Sequence, residues 1–440
     1  MAENKENSFL ESKFKLKENG TTAKTEILAG ITTFMTMGYI LAVNPSILSD
    51  AGMDWGGVFT ATALSAFIAT MIMGLCANYP FGLAPGMGLN AFFTYTIVLT
   101  MGYTWQFALT AVFLEGIIFI LLSFVGFREA IFNAIPINLK KAVSVGIGLF
   151  ISLIGFINSG IVGANEATII SLGNLKSPGA LLTIIGLIIM GVLLARNVKG
   201  ALLIGILATT LIGIPMGITH LPEAGQYIQL PPSLAPVFMK FEWSNIISGD
   251  MLIIVFTFLF VDVFDTVGTL IGVASKADML DEDGQLPRVK QALFADAVGT
   301  VGGACLGTST VTTFVESASG VADGGRTGLT AVSTAVMFFL ALFLSPIFGM
   351  IPSEATAPAL IIVGSFMLTP IKEIDLMDYT EAIPAFLTIV MMPFAYSIAE
   401  GIVFGMISYV VLKVLSGRHK EVTPIMYVLA IAFVLKTIFL

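Results

Sequence analysis

The sequence predicts an all-α membrane protein that crosses the bilayer many times. Hydrophobic residues make up 56% of its 440 residues, charged residues make up only 11%, and the mean hydropathy is +0.94. Soluble globular proteins carry about 25% charged residues, so a soluble fold is excluded. Apolar runs of about 20 residues, long enough to cross roughly 30 Å of hydrocarbon, recur from Ile27 to Leu440. The lipid bilayer is therefore the predicted surroundings of the chain.

The apolar runs form two sets of seven, which gives 14 predicted spans. Residues 1–25 form a polar segment without a signal-peptide pattern, residues 26–218 hold the first set, and a proline-rich polar loop follows at 219–249. Residues 250–416 hold the second set. The segment 417–440 ends in an apolar run that Lys436 interrupts, which we expect to be interfacial or accessory. In chain order the spans are 26–48, 57–79, 83–101, 103–126, 138–160, 178–196, 200–218, 250–275, 290–305, 308–325, 327–350, 356–371, 382–396 and 398–416.

The basic residues orient these spans in the cell membrane. Cytoplasmic loops are enriched in Lys and Arg, and a cytoplasmic N-terminus would place all basic residues inside except Lys176, Lys240 and Lys436. We therefore expect a multi-pass plasma-membrane protein with an extracellular 219–249 loop. Because each half has an odd number of spans, the second half would lie upside down relative to the first, as in an inverted-topology repeat.

The third span of each half cannot be a regular helix. Residues 78–90, NYPFGLAPGMGLN, are rich in Pro and Gly, and residues 307–315, GTSTVTTFV, are rich in β-branched residues and predict a short extended segment with a helix beginning near Glu316. Irregular backbone at membrane depth is tolerated only where protein or a water-filled cavity satisfies its polar groups. Paired interruptions in two inverted halves therefore predict a transport site.

Two acids in the eighth span, Asp262 and Asp265, are the strongest candidates for chemistry. They lie three residues apart, so a helix places both on one face. A carboxylate at the centre of a membrane helix costs about 2.5 to 3.5 kcal/mol, so both are expected to face an interior cavity, although they could also only brace neighbouring helices. A desolvated carboxylate is suited to carry a proton, and Asp265 or Asp262 is the candidate carrier.

The interrupted spans supply the other candidates. Glu316 would begin a half-helix, where an ionised carboxylate could accept a ligand N–H or cap its own backbone, and Thr310 offers a nearby hydroxyl. Asn90, at the mirror position, carries an amide that could read a heterocycle edge or serve as an N-cap. Phe92 and Phe314, next to these residues, could contact a planar ligand.

The remaining polar residues predict structural roles. Glu115, Asp296 and Glu400 are expected to support helices, and Asp323 is expected to pair locally with Arg326. Neither the two cysteines nor the two histidines form a metal pattern, and no cofactor or ATP-binding motif is present. A net charge of −8 without a basic patch argues against nucleic acid as a partner.

Four sequence blocks carry a resemblance to a known family. They are TEILAGITTFMTMGYILAVNPSIL, ANYPFGLAPGMGLNAFF, FVDVFDTVGTLIGV and TSTVTTFVESASGVADGGRTGLTAV. They resemble the AzgA-like purine permeases of the nucleobase–cation symporter-2 class, and the resemblance extends from about Phe14 to the C-terminus. It implies a core domain of spans 1 to 4 and 8 to 11 and a gate domain of spans 5 to 7 and 12 to 14. It also implies short antiparallel strands in spans 3 and 10 that meet at mid-membrane.

The resemblance also implies a function and its residues. It places purine-binding groups at Asn90, Asp262 and Glu316 and a further essential acid at Asp265. Family members carry hypoxanthine, guanine or adenine inward with protons, and this chain looks most like the hypoxanthine/guanine type. We therefore expect a proton-coupled purine importer and not an enzyme. A passive pore, a transporter of another nucleobase or a small anion, and an intramembrane hydrolase are the alternatives, and the oligomeric state is open, with a homodimer among the options.

Overall fold

The computed structural model describes residues 10–125, 135–221, 227–276, 279 and 286–439. Residues 1–9 of the predicted polar segment, part of the 219–249 loop and Leu440 lie outside the described residues. Within the described residues, eight helical stretches are long and apolar enough to cross a membrane. These are Ala23–Asp50, Trp55–Ala77, Trp105–Ser123, Ile137–Asn158, Pro178–Ala195, Gly328–Gly349, Ser353–Glu373 and Ile398–Leu415.

Helices and short strands alternate along the chain. Its first half contains α1 (Ala23–Met37), α2 (Ile40–Asp50), α3 (Trp55–Ile72), β1 (Leu83–Pro85), α4 (Met87–Ala91), α5 (Trp105–Val125), α6 (Ile137–Asn158), β2 (Val162–Asn165), β3 (Ile169–Leu172), α7 (Pro178–Ala195) and α8 (Ala201–Gly213). Its second half contains α9 (Gly249–Lys276), α10 (Val289–Leu306), β4 (Val311–Thr313), α11 (Ser317–Ala322), α12 (Gly328–Ala341), α13 (Ser345–Gly349), α14 (Ser353–Phe366), α15 (Tyr379–Phe394), α16 (Ile398–Leu415) and α17 (Pro424–Phe439). Two π-helical segments, Met73–Ala77 and Phe92–Thr100, continue α3 and α4.

Polar caps fix where several helices begin. The side chains of Thr22, Asp54, Ser177 and Ser397 each accept a hydrogen bond from a backbone N–H in the first turn of the helix that follows. Such caps satisfy N–H groups that have no partner inside the helix. Local sequence therefore sets where these four helices start, even though their apolar outer surfaces are alike.

The helices pack as two groups around an apolar core. The first group comprises α1–α5 and α9–α12, and the second comprises α6–α8 and α14–α16. The groups meet where α4 and α9 contact α6, and where α1 contacts α8. Large apolar side chains such as Leu121, Leu211 and Leu252 are exposed on the outside, as expected for a surface that faces lipid.

A pair of short antiparallel strands joins the two interrupted segments. β1 pairs with β4, with Leu83 opposite Thr313 and Pro85 opposite Val311. The outer edge of each strand is satisfied by a threonine of the preceding long helix. Thr70 Oγ1 lies 3.0 Å from the carbonyl oxygen and 2.9 Å from the nitrogen of Leu83, the first residue of β1. Thr300 Oγ1 lies 3.0 Å from the carbonyl oxygen and 3.3 Å from the nitrogen of Val311, the first residue of β4. These equivalent bonds keep the backbone polar groups of both strands paired away from water.

Three features differ from the sequence analysis or add to it. The residues between α6 and α7 form a β2–β3 hairpin, which the sequence did not predict. The expected Asp323–Arg326 ion pair is wrong: Asp323 pairs with Lys199 and accepts a hydrogen bond from Thr32, because α11 presents it to α1 and to the segment before α8. Arg326 instead donates to backbone carbonyls of the same turn.

The C-terminal end of α16 carries a network of charged side chains. Lys413 of α16 is fully buried and lies 2.7 Å from both Glu381 and Glu421. Arg418 bonds to Glu421 and to Asp378, which precedes α15. These hydrogen bonds hold the pKa of Asp378 well below its usual range and, chiefly through Arg418, lower the pKa of Glu421 to about 2. The network therefore ties the start of α15 to the end of α16.

Candidate functional site

The strand pair fixes the backbone of the candidate site. Gly86, which begins α4, donates from its N–H to the Thr310 carbonyl (2.9 Å), and Phe314 donates to the Gly82 carbonyl (3.0 Å). A Cβ at Gly86 would lie 2.6 Å from Thr312 Cγ2, so no larger residue fits there without displacing the partner strand. The same position would lie 3.6 Å from Asp265 Oδ2, which places the Asp265 carboxyl group beside the end of β1.

Glu316 lies at the other end of the strand pair and is half-buried. Its Oε1 accepts a hydrogen bond of 2.7 Å from the hydroxyl of Tyr39, while its side chain makes no cap bond to α11. The carboxylate is therefore held by a side chain of the other half of the protein and does not cap its own helix. Tyr39 is almost fully buried and lies in the break between α1 and α2. The sequence analysis missed Tyr39, because a lone Tyr in an apolar run carries no charge signal.

Asn90 lies inside α4 and is fully buried. The alternative that it is an N-cap is wrong, since Gly86 holds that position. The Ser309 hydroxyl donates to Asn90 Oδ1, and Nδ2 of Asn90 has no hydrogen-bond partner in the structure. A buried amide with an unused donor is uncommon, because almost all buried polar atoms are paired with protein, water or ligand.

Asp265 and Asp262 differ in surroundings although they lie on the same helix. Asp265 is half-buried and lies close enough to Asp296 and Glu316 to interact electrostatically. Asp262 is fully buried, and its Oδ1 lies 3.0 Å from the Thr266 hydroxyl oxygen one turn later. Asp265 is therefore the more accessible of the two predicted acids of span eight, and Asp262 is buried in the protein interior.

The other predicted residues line the packed side of the site. The Thr310 hydroxyl donates to Glu115 Oε2 at 2.7 Å, so its hydrogen is engaged with α5. Phe92 is buried edge-on against Phe258, with 4.9 Å between ring centroids. Phe314 is 5% exposed and lies tilted beside Tyr39 at 6.5 Å. In this conformation these three side chains shape the walls behind Asn90 and Glu316.

Glu115 and Asp296, which the sequence analysis treated as structural acids, both reach the site. Glu115 of α5 holds Thr310, and Asp296 of α10 lies 2.9 Å from the Thr266 hydroxyl oxygen. In the sequence, Glu115 and Asp296 could be noticed because they lie inside apolar spans. Their contacts near the strand pair could not be predicted, because these contacts join separate helices. The arrangement combines amide and carboxylate groups with aromatic walls, which is the set of groups needed to bind a planar heterocycle with alternating donors and acceptors.

Comparison with known proteins shows the family of the chain. A model of the permease family, Xan_ur_permease, matches residues 24–404. The chain belongs to this family. It is 48% identical over 439 residues to the guanine/hypoxanthine permease PbuG of Bacillus subtilis, covering 97% of this chain and 99% of that one. It is 45% identical over 431 residues to the adenine permease AdeP of Escherichia coli, covering 98% and 96%.

The resemblance to the nucleobase–cation symporter-2 class is thereby confirmed, and the chain is a multi-pass membrane permease and not an enzyme. Among solved structures it is similar to the transmembrane domain of the cyanobacterial bicarbonate transporter BicA, with a TM-score of 0.64 and 15% identity over 87% of this chain and 96% of that one. At this identity the likeness concerns the fold alone.

Proposed function

We propose that this permease is a secondary active importer of purine nucleobases, with hypoxanthine and guanine as the first candidates and adenine as the next, driven by proton symport across the plasma membrane. The observation that carries the proposal is the placement of Asn90 and Glu316 shortly after the two paired strands, Asn90 in the helix that follows β1 and Glu316 before the helix that follows β4. One has an unused buried donor and the other is a half-buried carboxylate held by Tyr39. Relatives named for guanine/hypoxanthine and for adenine support a purine.

The chemistry of a purine suits these groups. Its ring N–H groups are donors that a carboxylate accepts strongly, and its ring nitrogens or carbonyl accept from an amide. In the proposed site Glu316 accepts from the ring and Asn90 Nδ2 donates to it. Asp262 and Asp265 complete the polar side, and Phe92, Phe314 and Thr310 shape the walls. Acidic groups at each end of the strand pair disfavour the alternative of a small anion as substrate, because like charges repel in a site of low dielectric.

Coupling to protons follows from the charge of the substrate. A neutral base gains no driving force from the membrane potential, so uphill import needs a cation that moves with it. Asp265 or Asp262 is the proposed proton carrier. Asp265 interacts electrostatically with two other acids, Asp296 and Glu316, and a carboxylate among acids holds a proton more readily than one paired with Lys or Arg.

The architecture proposed for this transport is the 14-span inverted repeat with core and gate domains. Two features support it: the two packing groups of helices, and the equivalent Thr70–Leu83 and Thr300–Val311 bonds at the first residues of β1 and β4. Accessible cysteines can test the topology after replacement of Cys76 and Cys305. A cysteine at Lys240 should react with an impermeant reagent in intact cells, whereas one at Lys420 should react only after permeabilisation.

Uptake of labelled hypoxanthine by cells that lack purine uptake tests the function. We expect saturable accumulation above the external concentration, rising as external pH falls from about 8 to 6 and abolished by a protonophore. Guanine, adenine, xanthine and uracil as competitors rank the substrates. Equilibration without accumulation would indicate a passive pore, and sodium dependence without a pH response would replace the proton by a metal cation.

A further inference from the structure

One hydroxyl oxygen, Thr266 Oγ1, lies within hydrogen-bond distance of three other oxygens. It is 3.0 Å from Asp262 Oδ1, 2.9 Å from Asp296 Oδ1 and 2.7 Å from Thr312 Oγ1. All four side chains are at most 1% exposed. They come from three separate elements, α9, α10 and β4, so the contact exists only in the folded transporter. The cluster joins the predicted acid Asp262 to Asp296, to which the proposed transport cycle assigns no role.

Counting hydrogens shows that the two aspartates cannot both be ionised if all three contacts are hydrogen bonds. A threonine hydroxyl donates one hydrogen bond and accepts up to two, and an ionised carboxylate donates none. Three contacts need three hydrogens, of which Thr266 and Thr312 supply two. If Thr312 donates to Thr266 and Thr266 donates to one aspartate, the other aspartate must donate its own proton to Thr266. Two fully ionised aspartates would instead leave a carboxylate oxygen facing a lone pair of the hydroxyl.

Electrostatics also indicates that the two aspartates are not both ionised. Both carboxyl groups contact one oxygen, so they lie within about 6 Å of each other in the dry interior, a separation at which two like charges cannot both be ionised without a large cost. The surrounding elements contribute three further acids, Asp265 of α9, Glu115 of α5 and Glu316 before α11, together with the hydroxyl of Tyr39. No acidic or basic side chain occurs in the sequences of α3, α4, β1, β4 and α11.

The basic residues of the packed elements lie towards helix ends. Arg288 and Lys290 stand at the start of α10, at least six positions before Asp296, which is roughly 9 Å along the helix axis. Lys140 and Lys141 lie in the first turn of α6, the helix of the second group that meets α9. Lys276 is the last residue of α9.

We propose that Asp262, Thr266 and Asp296 hold one proton between them, and that this shared proton is the one carried with the substrate. The inference rests on the proposed proton-coupled function and assigns Asp296 and Thr266 to it. The proton reaches the pair when Asp265, the half-buried acid one turn away, exchanges with water. Loss of the proton leaves two carboxylates and one hydroxyl hydrogen, so the empty state is repulsive and rebinds a proton before the cycle repeats.

Transport by the full-length protein in proteoliposomes provides the first test. Asp296→Asn removes one negative charge, and Thr266→Val removes the hydroxyl that bonds to both aspartates in the one-proton state. Either change should lower the pH midpoint of hypoxanthine accumulation by about one unit, because a charged hydrogen bond alters a proton equilibrium about tenfold. Exchange of internal for external hypoxanthine at equal pH, measured alongside, reports whether each variant still binds and carries the substrate. Thr266→Ser should restore the wild-type midpoint, which a merely structural role of the methyl group would not predict.

Matched controls come from other buried residues of the same types. Thr210→Val changes a threonine that bonds only to the carbonyl of its own helix, and Glu26→Gln changes a buried carboxylate that accepts backbone N–H bonds at the start of α12. Both should keep the wild-type midpoint. The protonated carboxyl group can also be observed directly in purified protein by its infrared carbonyl band, which should disappear or shift in Asp296→Asn and Thr266→Val but not in the controls.

Two results would overturn the inference. One is a wild-type protein without a protonated carboxyl band that responds to changes at Asp262, Thr266 or Asp296. The other is a folded Thr266→Val protein with an unchanged band and an unchanged pH midpoint, while wild-type accumulation depends on protons. Wild-type accumulation that ignores the proton gradient would instead overturn the proposed function itself, so the two failures are distinct.

Discussion

Acidic side chains around the β1–β4 pair and at the C-terminal end of α16 have different partners. Around the strand pair the acids meet hydroxyl groups: Glu316 accepts from Tyr39, and Asp262 and Asp296 share Thr266. At the C-terminal end of α16, Glu381 and Glu421 meet the buried ammonium group of Lys413. A hydroxyl can donate to an ionised carboxyl group or accept from a protonated one, whereas an ammonium group favours only the ionised form. The first set of partners therefore suits either protonation state of a carboxyl group, whereas the second suits only the ionised state.

The largest expected effect is at the C-terminal end of α16. Lys413→Met should lower the stability of the purified transporter by about 3 kcal/mol, because it leaves the largely buried carboxylate of Glu381 without its cation, whereas Glu421 keeps Arg418. Thermal unfolding in detergent measures the loss. Lys420→Met, an exposed lysine seven positions later, is the matched control and should unfold like the wild type. Equal unfolding temperatures for both variants would show that the network around Lys413 does not stabilise the fold.

The next effect concerns the ligand. Glu316→Gln keeps the shape of the side chain but removes its charge, and a hydrogen bond to a charged group contributes about 1.5 to 3 kcal/mol, so hypoxanthine affinity should fall roughly 10-fold to 150-fold. Binding to the purified protein measures this change. Glu354→Gln, in the first turn of α14, controls for the substitution. A Glu316→Gln protein that is present in normal amount and binds with unchanged affinity would remove Glu316 from the site.

A smaller effect is expected at Tyr39. Tyr39→Phe keeps the ring beside Phe314 but removes the hydroxyl that orients Glu316. Loss of one hydrogen bond worth about 1 kcal/mol should weaken binding roughly 5-fold. Tyr427→Phe, which affects a hydroxyl bonded to the His419 carbonyl, should leave binding unchanged. Unchanged binding in Tyr39→Phe would mean that the carboxylate is oriented without this donor.

The smallest effect is a pH dependence of stability at the C-terminal end of α16. Hydrogen bonds from Arg418 lower the pKa values of Asp378 and Glu421, the latter to about 2. Their stabilising contribution is therefore fully present above the unfolded-state values of about 4 and disappears as the pH falls towards 2. The unfolding temperature of the wild type should fall over that pH range, and the unfolding temperature of Arg418→Gln should fall less. Parallel curves for the two proteins would contradict this assignment.

Much of the candidate site could be predicted from the sequence. Acids inside apolar spans and two interrupted spans are local signals, and they identified Asp262, Asp265, Glu316 and Asn90 as candidates. The structure places all four around the β1–β4 pair. The charge partners could not be predicted in the same way. Asp323 was assigned to Arg326 because the two residues are close in sequence, but its cation is Lys199, more than a hundred residues away.

The sequence by itself determined that the chain is a polytopic membrane protein, because hydrophobic content and span length depend only on composition and order. It also determined where the backbone must break, since Pro, Gly and β-branched runs act locally. Only the tertiary structure decided which hydroxyl faces which acid. Tyr39 and Glu316, or Thr266 and Asp296, meet because helices distant in sequence pack together, and apolar helix surfaces of similar composition give no local sign of which neighbours they choose.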